Sequence, residues 1–94
     1  MVKSPSLERR LTKWNFSYNV YTDLFQVYDR RVLALPNEKL KNKKFDDLTL
    51  LYDKSSKDLL LIEVSNAYQL LGDIENMPKK DIIQSIMQYM EAHD

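Results

Sequence analysis

The run Tyr52-Asp53-Lys54-Ser55-Ser56-Lys57-Asp58-Leu59-Leu60-Leu61-Ile62-Glu63-Val64-Ser65-Asn66-Ala67-Tyr68-Gln69-Leu70-Leu71 reads as the end of one strand, a turn, a second strand and a capped helix. Leu48-Thr49-Leu50-Leu51-Tyr52 leads into it, and Asp53 to Asp58 is a polar break rich in turn formers. Leu59 to Val64 is short and nearly continuously apolar, as a central strand covered on both faces is. A hairpin over residues 48–64 is the natural connection. One helix running through Ser55-Ser56 is the rival. Asn66 then stands where an N-cap belongs, with Gln69 three residues on, the spacing of a capping box. The short helix spans 66–71, and Gly72 suits its C-terminus.

Two readings compete for residues 7–35. Leu7, Leu11, Trp14, Tyr18, Tyr21, Phe25, Tyr28 and Val32 recur at alternating steps of four and three, a heptad seam. That pattern predicts a long first helix over 5–35 and an all-α bundle. Trp14 to Tyr21 instead alternates large apolar with small polar residues, the period of a half-buried strand. Asn15, Ser17 and Asn19 are poor helix formers and together cost a helix about 1.5 kcal/mol against good ones. They cost an exposed strand face little. Strands are therefore favoured: 14–21, a turn at Thr22-Asp23, 24–28, and a third over Val32 to Leu35 that ends at Pro36.

Pro78 opens a final amphipathic helix over 78–92, where Ile82, Ile83, Ile86, Met87 and Met90 form a core-facing stripe. The expected fold is α+β: a small antiparallel sheet of four or five strands, a short helix and a C-terminal helix. The alternative is the bundle. Either fits a single domain over 1–94, small enough that self-association would help it.

Tyr52-Asp53 with Leu61-Ile62-Glu63-Val64-Ser65-Asn66-Ala67 is similar to the closing signature of a small prokaryotic family, domain of unknown function 2283, whose members end in a pattern like Y-D…G-I-E-I-L-N-A-S. Phe16-Ser17-Tyr18-Asn19 followed by Asp23-Leu24-Phe25 looks like that family's opening strand pair. The resemblance covers residues 14–71. It departs at Leu61, where the family has glycine, at Tyr68, where it has serine, and by one residue in the Tyr18–Asp23 spacing. What it implies is a small antiparallel sheet with a helix, and, for function, the neutralising partner of a small toxin.

Composition narrows the chemistry. The 94 residues are 44% hydrophobic and 30% charged, which fits a soluble folded chain. There is no cysteine, hence no disulfide or thiolate metal site. One glycine, Gly72, excludes glycine-rich phosphate loops and predicts few left-handed turns, with hairpins closed by longer polar loops. No apolar run reaches membrane length, and Met1 to Pro5 leads into charged residues, so no membrane association and a cytoplasmic location are expected. His93, the sole histidine, sits at the terminus, so no catalytic or metal-ligating set forms around it. Neither an enzyme nor a cofactor is expected. Asp46, Asp47, Asp53 and Asp58 read as solvated loop acids, and Glu63, inside an apolar strand, calls for a partner such as Arg30 or Arg31.

Net charge is zero but divided. Residues 1–44 carry ten Lys/Arg against four acids, and residues 45–94 carry four Lys against ten acids. Lys39, Lys41, Lys43 and Lys44, in one expected loop, together with Arg9, Arg10 and Lys13, offer a phosphate-binding surface. A pI of about 6.6 disfavours nucleic acid as partner. The favoured reading is a protein-interaction module, forming a homodimer or binding a protein partner through sheet edges and aromatics such as Trp14, Phe16, Tyr18 and Tyr21. A helical-bundle immunity-type inhibitor is the counterpart of the all-α reading.

Overall fold

β5 (Leu59–Ser65) is the central strand of a five-stranded antiparallel sheet with order β1-β2-β5-β4-β3. A computed structural model describes residues 5–92, with side chains from Leu7 onward; Met1 to Ser4, His93 and Asp94 lie outside the described residues. Helix α1 (Pro5–Lys13) leads into β1 (Asn15–Asn19) and β2 (Leu24–Tyr28). After β3 (Leu40–Phe45), β4 (Leu48–Asp53) and β5 come the short α2 (Ala67–Leu71) and the long α3 (Lys79–Ala92). The fold is α+β, and the all-α bundle is overturned. Its heptad seam is helical only over α1, because the Asn, Ser and Asn of β1 face water from a strand instead.

The period of two then assigns every strand residue a side. Rows across the sheet run Phe16–Val27–Ile62–Leu50–Lys43 and Tyr18–Phe25–Val64–Leu48 on one face. This face packs under the helices, in a core that includes Leu11, Trp14, Ile82, Ile83, Ile86 and Met87. On the other face run Tyr28–Leu61–Leu51 and Ser17–Gln26–Glu63–Thr49–Lys44. A register shift at Leu51/Tyr52 pairs Leu61 with Leu51 but Leu59 with Tyr52, leaving Leu60 as an extra residue. Leu59 thereby joins the helix-side core, while Leu60 and Leu61 join Val32 in a second, smaller cluster. The apolar run of β5 is buried on both faces for this reason.

Four expectations fail locally. Val32 to Leu35 is no strand: residues Arg30–Ala34 form a 3-10 turn capped by Asp29, whose carboxylate accepts from the Arg31 N–H at 3.0 Å. The Asp29 N–H donates to Leu60 O at 2.8 Å, which ends the ladder of β2 and releases the chain. Lys39 to Lys44 is no loop either. Asn37–Lys39 is a 3-10 turn and the rest is β3, a strand that its pairing with β4 creates from a sequence of low strand preference. Left-handed turns are also common without glycine, at Asp23, Asp46, Lys57 and Asn66. Asp46-Asp47 closes the β3–β4 hairpin in two residues, with Asp46 at φ 51°, a conformation that aspartate tolerates.

The fourth concerns Asn66, which precedes α2 but does not cap it. Its backbone is left-handed (φ 52°), so its amide donates instead to Asp47 Oδ1 at 3.2 Å. Asp23 supplies the cap from the β1–β2 turn: its carbonyl accepts from the Ala67 N–H at 3.1 Å, and Oδ1 accepts from the Tyr68 N–H at 2.9 Å. The first-turn donors of α2 are therefore satisfied by a residue more than forty positions away.

Candidate functional site

The sheet has two free edges, β1 and β3, and the exposed chemistry divides between them. β1 is short and uncharged. Phe16 and Tyr18 point under the helices and are half-buried, and Asn15, Ser17 and Asn19 face water. Phe16 meets Phe25 edge-on at 5.4 Å, and the Lys79 ammonium sits 4.6 Å from the Phe16 ring while donating to Trp14 O at 3.2 Å. The Tyr18 hydroxyl donates to Asp23 Oδ1 at 2.6 Å. That bond to a carboxylate favours the neutral phenol and pushes its pKa up from 10.0 to about 12.

Asn19 holds the turn after β1, its side-chain oxygen accepting from the N–H groups of Tyr21 and Thr22. The turn projects Val20 and Tyr21 into solvent, with Tyr21 95% exposed. Tyr68, on the helix that Asp23 ties to this turn, is also exposed. Of the expected interaction aromatics, then, Tyr21 is free, Phe16 and Tyr18 present one edge, and Trp14 is a core residue. It is only 6% exposed at the end of α1, with the Arg10 guanidinium 5.4 Å from its ring. Arg10 also donates to Leu59 O at 2.7 Å, which ties its side chain to the start of β5.

β3 is the charged edge. Strand alternation separates its lysines: Lys41 and Lys43 lie on the helix side, Lys44 on the opposite face, and Lys39 in the preceding turn. Lys41 and Lys43 join Tyr52, Asp53, Lys54 and Lys57 around a cavity of about 800 Å³. The Lys54 N–H donates to Lys39 O at 3.0 Å and sets the β4–β5 loop beside β3. Asp53 is held by the Ser55 N–H at 2.8 Å, and that bond keeps its carboxyl below the usual carboxylate range. Sequence reasoning did not single out Tyr52, Lys54 and Lys57 as part of a site. Their proximity to Lys41 and Lys43 follows from the β3–β4 pairing, which no local pattern announces.

Glu63 does find a partner, but not an arginine. Gln26, its register neighbour on β2, donates to Glu63 Oε1 at 2.8 Å. Arg30 lies beyond the end of β2, in the 30–34 turn. Arg31 pairs instead with Asp29 at 3.2 Å and Asp58 at 3.6 Å. Asp46-Asp47 and Asp53 sit at opposite ends of β4, and among the described residues no group of three potential metal ligands forms. No helix among them is long and apolar enough to cross a membrane.

No family model, no curated protein and no solved structure matches the chain.

Proposed function

We propose that this chain is a small non-enzymatic protein-binding module that dimerises through β1 and presents the neighbouring aromatic turn to a protein partner. The uncharged, unpaired edge of β1 carries the reading. Free strand edges pair with other chains unless charge, proline or a covering element prevents it, and β1 has neither charge nor proline. Its order, Asn-Phe-Ser-Tyr-Asn, is nearly the same in both directions. Antiparallel pairing about Ser17 sets Asn15 against the partner's Asn19 and Phe16 against the partner's Tyr18. Aromatic thus meets aromatic on the helix side, with no like charges opposed. The resemblance to domain of unknown function 2283 adds the sharper form of the proposal, an antitoxin-like protein that neutralises a small toxin.

Light scattering at high micromolar concentration tests the edge. The wild-type chain is expected to give twice the monomer mass. Ser17→Lys, which sets two cations face to face on the dimer axis, is expected to give the monomer with an unchanged far-UV circular dichroism spectrum. A monomeric wild type would remove the dimer. Tyr21→Ser, read by affinity capture from the cell of origin, tests the turn: retention of the same co-purifying protein by this variant would exclude the turn as its contact.

A further inference from the structure

The groove at the opposite edge is built for an anion. Four lysines, Lys41, Lys43, Lys54 and Lys57, line it with a single acid, Asp53, and the Lys43 ammonium also sits 5.5 Å from the Phe45 ring. Among the described residues none of the four is in an ion pair. Asp53 is turned to its own loop, where it accepts from the Ser55 N–H. Lys57 is left-handed at φ 66°, a conformation that glycine or asparagine adopts with less strain, so the turn holds a lysine at the cavity against local preference. Its backbone N–H donates to Asp53 O at 2.8 Å and closes the turn.

Three further properties select the ligand. Lys41 and Lys43 are two apart on one face of a strand, about 6.7 Å at strand rise, a step that suits successive phosphates of an extended strand. The half-buried Tyr52 supplies an aromatic wall between β3 and the loop. The volume, about 800 Å³, is of small-ligand size and too short for a duplex footprint.

We infer that this groove binds a short stretch of single-stranded nucleic acid, with Lys41, Lys43, Lys54 and Lys57 on its phosphates and Tyr52 against a base. The neutral charge of the whole chain does not oppose this, because the lysines come together from both halves of the sequence and act within a Debye length of about 8–10 Å. The site is independent of dimerisation, since β1 and β3 are opposite edges.

Fluorescence anisotropy of labelled oligo-dT and oligo-rU with the full chain tests it. Four phosphate contacts predict an affinity loss of about 50-fold between 50 and 200 mM salt, and Lys41→Ala with Lys43→Ala lowers the logarithmic salt slope by about 1.4. Tyr52→Leu is expected to weaken binding several-fold at all salt concentrations. Lys57→Gly separates binding from folding: it weakens binding while leaving Tm equal or higher. Absence of wild-type binding at 50 mM salt would overturn the inference. So would affinity unchanged in the lysine variants, or equal competition by duplex DNA or by a poly-glutamate peptide.

Discussion

β1 and β3 bound the same sheet, separated by three strands or about 19 Å. β1 has no charge in five residues, whereas β3 has lysine at three of its six. β1 rests on the main core: Trp14 precedes it, and Phe16 and Tyr18 pack beneath the helices. β3 extends past that core, and all four of its middle residues are exposed. An edge tied into the core can remain uncharged and available for pairing. An edge out in water carries cations that block pairing, and the same cations make a field for an anion.

The largest effect should come from cutting β1 away from its support. Trp14→Ala removes a buried ring and the seat of Arg10, and is expected to cost about 3–5 kcal/mol in urea unfolding. A loss below about 1 kcal/mol would mean that β1 is not anchored through Trp14. Asp23→Gly, which keeps the left-handed backbone at φ 54°, comes next. It removes the acceptor shared by the Tyr18 hydroxyl and the Tyr68 N–H, for about 1–2 kcal/mol by the same measurement. Asn66→Gly, by contrast, keeps the left-handed backbone and leaves the cap of α2 in place, so a larger loss there would transfer the capping role back to Asn66.

A smaller, pH-dependent effect belongs to Tyr18. Its pKa is raised in the folded chain, so the stability it contributes is complete below pH 10 and is lost as pH climbs from 10.0 toward about 12. Tyr18→Phe lacks that contribution. The stability gap between wild type and variant should therefore close across this window, and a constant gap would show that the phenol does not titrate there. The smallest effect is expected at β3, where Lys41→Ala with Lys43→Ala should change stability by less than about 0.5 kcal/mol. A substantial loss would make the lysines part of the fold and erase the contrast between the edges.

Much of the architecture was readable because its signals are local. The alternation of Asn15 to Asn19 and Leu24 to Tyr28, the 48–64 hairpin and the Ile/Met stripe of α3 all appear as expected. β3 escaped notice because lysine and asparagine are poor strand formers, and only the ladder to β4 makes Leu40 to Phe45 extended. The 30–34 turn replaced an expected strand because Asp29 offered its N–H to Leu60 and its carboxylate to Arg31. The candidate groove was half legible: Lys41 and Lys43 stood out by charge, while Tyr52, Lys54 and Lys57 joined them through pairing alone.

The sequence by itself determined the hairpin over 48–64 and the C-terminal helix with its Ile/Met stripe, because burial on one face imprints its period on neighbouring residues, whereas between Leu7 and Leu35 two periods overlapped. It also determined that Leu59 to Val64 lies at the centre, since only a strand covered on both sides tolerates so few polar positions. Tertiary structure decided the rest. It chose Asp23 over Asn66 as the cap of α2, Gln26 over arginine as the partner of Glu63, and the core over the surface for Trp14. Each choice rests on groups brought within bonding distance by strand register or by packing over the sheet, and neither distance is written in the spacing along the chain.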